Sequence, residues 1–165
     1  MNRTLFPEPG SLAEAKQRVR NDRSDGTRCP CCGQWVQEYN RTISGSMCVA
    51  LIAFYRYAQG SPDFTSYKLI HGEIANAPGA VDYSKLRYWG LLEKDHADPE
   101  DDSKSSGRWR ITALGREWVE CRARVPKYAV VFDNHCLGLV GPQVSITDRI
   151  GKRFNYSELM GRDAS

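Results

Sequence analysis

The sequence has no apolar run approaching the roughly 20 residues needed to cross a bilayer; the longest, Met47–Tyr55, is far too short. Its first residues lack the charged-then-apolar layout of a secretory signal. Both absences set aside membrane-spanning and exported classes, and the expectation is a cytoplasmic protein with no membrane partner. Catalytic signatures are missing too. There is no glycine-rich phosphate loop, no HExxH and no nucleophile elbow. Clustered acids occur only between Asp95 and Asp102, in a polar stretch that is a poor platform for a positioned acid–base pair. An enzyme is therefore not expected. No segment repeats, which excludes a solenoid.

What is present suits a small packed protein. A chain of 165 residues with 41% hydrophobic side chains can build one core with terminal additions. A net charge of +3 is compatible with nucleic-acid binding but says little alone. Its distribution says more. Lys16, Arg18, Arg20 and Arg23 form one basic run, and Arg108, Arg110, Arg116, Arg122 and Arg124 a second. Between them lie Asp95, Asp98, Glu100, Asp101 and Asp102.

Along the chain, Ser11 and Glu14 suggest a capping box opening a basic helix over about 12–22. Ser24-Asp25-Gly26 ends it, and Cys29-Pro30-Cys31-Cys32-Gly33 follows. Ile43, Met47, Ala50, Leu51, Phe54 and Ala58 then recur at helical spacing and predict an amphipathic helix stopped by Gly60-Ser61-Pro62. Phe64, Tyr67, Ile70 and Ile74 suggest a second helix, and Asn76-Ala77-Pro78-Gly79 a turn. Asp82 is placed to cap a third, with Leu86 and Trp89 inward. Gly90 closes it and Leu91-Leu92-Glu93 enters a strand. After a polar loop, Gly107–Ile111 alternates with period two, so Trp109 and Ile111 share one face and Arg108 and Arg110 the other. Thr112 caps a further helix with Leu114, Trp118 and Val119 as its apolar positions. Tyr128–Phe132 and Cys136–Val140, separated by Asp133-Asn134-His135, read as a β-hairpin. Thr147 or Asp148 is placed to cap a short closing helix, before a last turn at Tyr156–Met160.

Helix, glycine, strand, loop, strand, capped helix is the winged-helix order. The expected fold is thus α+β: a winged helix-turn-helix core over 41–124, an N-terminal helix and cysteine knuckle over 1–40, and a C-terminal β-hairpin with closing helix over 125–165. The stretch "LRYWGLLEK…GRWRITALGREWVE" resembles the recognition-helix end, wing and following helix of winged-helix DNA-binding proteins. "CPCCGQWVQEYNRTISGSMCVALI" with "DYSKLRYWGLLE" is similar to small proteins of bacteriophages and prophages, in which a CPxCG knuckle precedes a winged-helix-like domain. This resemblance covers about residues 12–160. It implies a phage or prophage origin, hence the host cell cytoplasm, and carries no activity with it.

Cys29 and Cys32 with Gly33 have the spacing that lets two thiolates share a tetrahedral zinc, the glycine admitting the turn that aims backbone amides at sulfur. No second CxxC or HxxxH supplies the other pair. Cys31, Cys48, His71, Cys121, His135 and Cys136 all stay open as completions, and a reduced structural loop is the competing reading. For DNA, the expected contacts are Lys85, Arg87 and Tyr88 on the third helix, with Tyr83 and Ser84 near its start, and Lys104, Arg108 and Arg110 on the wing. Arginines on a strand's solvent face are also ordinary surface, and Trp89, Trp109 and Trp118 read as core. The wing's acids oppose phosphate. Two functions are therefore expected in competition. One is a DNA-binding regulator of transcription or replication, with a homodimer among its expected forms. The other is a host-takeover or anti-defence protein that blocks a bacterial nucleic-acid-handling machine through its acidic wing. A structural part of a phage assembly is a third reading.

Overall fold

In the computed structural model, which describes residues 10–73, 82–96 and 105–161, the chain is a mixture of short helices and small antiparallel sheets. It divides into two units: Met1–Arg41 with Val130–Gly138, and Thr42–Ala129 with Leu139–Ser165. The C-terminal hairpin is shared between them: its tip belongs to the first unit and its base to the second.

In the first unit, α1 (Leu12–Asp22) starts where the Ser11 hydroxyl accepts from the Glu14 amide at 3.2 Å. Only Ala15 of this helix is buried. Strands β1 (Thr27–Arg28) and β2 (Trp35–Val36) pair antiparallel, Thr27 opposite Val36, and hold the cysteine turn between them. Gly26, at φ +84°, lies where a Cβ would collide with the Trp35 ring. Arg23 reaches Glu38 at 3.3 Å and lies over the Phe132 ring.

The second unit is organised around α2 (Gly45–Gly60), capped by Ser44, whose hydroxyl accepts from the Met47 amide. An amphipathic helix was expected. Instead Met47 through Phe54 are all buried, on every face, because α3 (Tyr67–Ile70), β5 (Ser105–Ile111), α4 (Ala113–Val119) and α5 (Ile146–Ile150) pack around it. The uncharged run Met47–Tyr55 is the sequence counterpart of that envelopment.

The second helix is shorter than its pattern suggested: α3 has four residues and passes into a 3-10 turn, His71–Glu73. Ile74 and the turn at 76–79 fall outside the described residues. The third is a 3-10 helix, Tyr83–Trp89, ending at Gly90 with φ +68°. Asp82 sits at its N-cap without a side-chain capping bond. Strand β4 (Leu92–His96) pairs antiparallel with β5, setting Leu92 opposite Ile111 and Glu93 opposite Arg110. Thr65 bridges Trp109 on the other side of β5 through two backbone hydrogen bonds of 2.9 and 2.8 Å. Phe54, Tyr67, Tyr83 and Trp109 form a chain of ring contacts beside this bridge: Phe54 stacks on Tyr67, Tyr67 and Tyr83 have centroids 4.7 Å apart, and Tyr83 meets Trp109 edge-on.

Thr112 caps α4 as expected, accepting from the Gly115 amide at 2.9 Å. Leu114 does not face inward, however; it is exposed, and Gly115 takes the inner position. A Cβ there would run into the Leu91 carbonyl, so the close approach of helix and strand requires glycine.

Strands β6 (Val125–Phe132) and β7 (His135–Val144) form the C-terminal hairpin, with β3 (Tyr39–Thr42) on the far side of β6. Asp133 and Asn134 make its two-residue turn at φ +47° and +61°, the left-handed pair that a tight hairpin demands. The closing helix α5 is capped by Ser145, not by Thr147 or Asp148. Asp148 reciprocates, accepting from the Ser145 amide at 2.8 Å. A last turn, α6 (Tyr156–Leu159), follows Asn155.

Candidate nucleic-acid interface and cysteine knuckle

The β4–β5 hairpin alternates as its sequence suggested: Trp109 and Ile111 are buried, Arg108 and Arg110 exposed. Neither guanidinium is idle. Arg108 donates twice to the Phe64 carbonyl, at 3.1 and 2.6 Å, and lies 3.7 Å from the Asp95 carboxylate. Arg110 pairs with Glu93, its cross-strand neighbour, and covers the Phe64 ring at 4.5 Å. These pairs stand in water, where each stabilises by roughly 0–1 kcal/mol. A phosphate oxygen could therefore replace either carboxylate at small cost. Lys104 and the acids from Asp98 to Asp102 lie outside the described residues.

On the 3-10 helix, Lys85 and Arg87 are part-exposed, and both cations sit over the Tyr88 ring, at 5.8 and 5.0 Å. Tyr88 itself is only 7% exposed, which corrects its assignment as a groove-facing residue. At three residues per turn, side chains three apart eclipse, so Leu86 and Trp89 share the inner line and Lys85 lies in line with Tyr88. Lys85 and Arg87 then cover the Tyr88 ring. Tyr83 and Ser84 are half-buried. The tryptophans are core, as read: Trp89, Trp109 and Trp118 are all buried. Two of them also reach hairpin carbonyls, Trp89 donating to Pro126 at 2.7 Å and Trp118 to Val144 at 3.0 Å.

The knuckle is built by two backbone bonds. The Cys29 amide donates to Gln34 and the Gly33 amide donates back to Cys29, both at 2.8 Å, with Gly33 at φ +71°. The backbone N–H groups of Cys32 and Cys31 donate to the Cys29 sulfur, with help from the Cys32 thiol, and lower its pKa. Cys31 moves the opposite way, raised by desolvation and by the charge of Cys29. A thiolate stabilised by backbone amides is what a metal knuckle needs. Among the described residues, however, no three His, Cys, Asp or Glu side chains gather as a ligand set. The residues thus fit a two-ligand half-site at Cys29 and Cys32.

The proposed completions fare differently. Cys48 is removed from consideration: it is fully buried in α2, and burial pushes its thiol up to about 12. His71 and Cys121 belong, like Cys48, to the second unit. His71 Nδ1 is 3.0 Å from the Lys68 carbonyl, and Cys121 is exposed at φ +61°. His135 and Cys136 fall with the knuckle in the first unit, where His135 Nδ1 lies 2.6 Å from the Asp133 carbonyl. Sequence reasoning missed a cavity of about 600 Å³ in that unit, lined by Ala15 and Val19 of α1, Cys29, Cys31, Trp35 and Phe132. The α1 wall was legible as periodicity, but nothing local in the chain brings Phe132 to it.

No family model matches the chain, and no curated protein or solved structure matches it either. No helix among the described residues is long and apolar enough to cross a membrane.

Proposed function

We propose that the chain is a winged-helix DNA-binding protein of phage type, acting in the control of transcription or replication. The observation that carries this reading is the element order of the second unit. Helix α2, the Thr65 bridge, α3, the 3-10 helix and the β4–β5 hairpin follow one another as helices and wing do in that fold. The 3-10 helix then offers Lys85 and Arg87 to the groove, and the hairpin offers Arg108 and Arg110 to the flanking phosphates, joined by Lys104. Cys29 and Cys32 would hold a zinc of structural role, which would tie the knuckle turn together.

Fluorescence anisotropy against random duplex DNA across a salt series tests the reading. Salt-sensitive binding supports it, and absence of binding at low salt overturns it. In the Arg108→Ala/Arg110→Ala double variant the log–log salt slope should fall by about 2, roughly one per lost phosphate contact. An unchanged slope would remove both arginines from the interface.

The Glu93–Arg110 and Asp95–Arg108 pairs favour a second reading, because they neutralise the wing strands internally. On that reading the hairpin and its acidic loop enter a basic groove on a host nucleic-acid machine and block it. Neutralising Glu100, Asp101 and Asp102 to Gln or Asn separates the two. DNA affinity rises under the first reading, and partner capture is lost under the second.

A further inference from the structure

The outer strand of the C-terminal sheet is, among the described residues, the longest and most exposed. In the order β3-β6-β7, β7 has a neighbour on one side only, so alternate backbone groups along its other side have no strand among the described residues to pair with. From His135 to Gln143 every residue is exposed, on both faces. Leu137, Leu139 and Val140 are 44%, 38% and 43% exposed. Native edges are usually blunted by charge, proline or a bulge. Here those devices begin only at the far end. Gly141 turns at φ +91°, Pro142 lacks an N–H, and Arg124 holds the Gln143 carbonyl at 3.2 Å. Between Cys136 and Val140 there is none.

We propose that this stretch is a homodimer edge, on which β7 of a second copy pairs antiparallel about Gly138. The occupant is argued from the strand's own chemistry. Cys136–Val140 carries no charge, so an acidic or basic partner strand gains nothing there, whereas a second copy brings no like charge opposite another. The pattern Leu137-Gly138-Leu139 is also symmetric about its centre, so a two-fold axis there sets leucine against leucine on both sides of it. Pairing about Gly138 sets Leu137 of each copy against Leu139 of the other, a row of four leucines on one face. On the opposite face it sets Cys136 against Val140. Gly138 meets its own counterpart, and nothing lies within 4 Å of the place its Cβ would take, so the approach is open. The two three-stranded sheets then become one continuous sheet. So short an interface is small, and dissociation is expected in the range of about 10–100 µM. This inference does not depend on the DNA-binding reading.

Sedimentation equilibrium of the full chain from about 1 µM to about 500 µM tests it. The expected result is a monomer–dimer equilibrium. Leu137→Lys/Leu139→Lys and Leu137→Glu/Leu139→Glu should each be monomeric, and an equimolar mixture of the two should dimerise again. Far-UV circular dichroism should show both variants folded, since the positions are exposed. Independently, Gly138→Cys in a Cys136→Ser background should form an intermolecular 138–138 disulfide under mild oxidation, mapped by mass spectrometry. A wild-type monomer at every concentration overturns the proposal. So does a dimer indifferent to both charge variants, or one in which residue 138 fails to cross-link.

Discussion

The two hairpins of this protein, β4–β5 and β6–β7, are both antiparallel and both have one outer strand, yet they meet solvent in opposite ways. In β4 the residues after Leu92 are Glu93, Lys94, Asp95 and His96, all at least partly exposed, and two of these are tied across to Arg110 and Arg108. In β7 they carry Leu137, Leu139 and Val140 with no charge beside them. A charged, cross-linked edge repels a further strand. A neutral apolar edge invites a strand. The same secondary structure thus serves recognition of a polar partner in one place, on the function proposed above, and self-association in the other, on the further inference.

The largest test of this contrast is truncation on each strand. Leu92 in β4 is 1% exposed, so Leu92→Ala should cost about 2–5 kcal/mol in chemical denaturation. Leu139→Ala in β7 should cost roughly 0.5 kcal/mol or less in the monomer, since its side chain already meets water. Equal losses would mean that β7 is covered within a single chain. Next comes the turn that closes β6–β7. Asn134 sits at φ +61°, so Asn134→Gly should leave stability unchanged or raise it, while Asn134→Ala should lower it by about 1 kcal/mol. Thermal melts of both variants decide the point.

Smaller effects come from the charged hairpin. Replacing Glu93 by Gln removes an exposed pair and should change stability by roughly 0–1 kcal/mol, an effect that fades as salt rises. If the loss persists in high salt, the pair is less exposed than its surroundings indicate. The smallest concerns the base of β6–β7. Hydrogen bonds from the Ser145 amide and hydroxyl lower the Asp148 pKa, with Arg124 at 3.0 Å assisting. A carboxylate depressed on folding contributes stability above its unfolded pKa and loses it as the pH falls through the folded one. Asp148→Asn should therefore flatten the acid end of the stability–pH curve and leave the neutral region's slope unaltered. A curve of unchanged shape would mean that the capping box exerts no net pull on that proton.

Much of the second unit could be read from local pattern. The period-two run Arg108-Trp109-Arg110-Ile111, the Thr112 cap and the glycine after Trp89 each act over a few residues, and each lies where its chemistry placed it. Other features were not legible because they depend on partners distant in the chain. The burial of Tyr88 comes with the cations of Lys85 and Arg87 lying over its ring, which an apolar pattern does not reveal. Leu114 yielded the inner face to Gly115 because the Leu91 carbonyl comes too close for any side chain. For the candidate site, the residue types were legible, but the engagement of Arg108 by Phe64 and Asp95 was not, since it joins elements that pair only in the folded chain.

By itself, then, the sequence determined the mixed α+β element order, the Ser11 and Thr112 caps, the alternating arginines and the knuckle turn. All of these follow from short-range sterics and hydrogen bonding. Tertiary structure alone decided that Met47–Phe54 of α2 are enveloped on every face, that Arg108 and Arg110 are paired, that Cys48 is sealed away and that β7 is left as an edge among the described strands. Each of those depends on which elements pack together and which strand goes unpaired, and packing is a property of contacts between residues far apart in the chain.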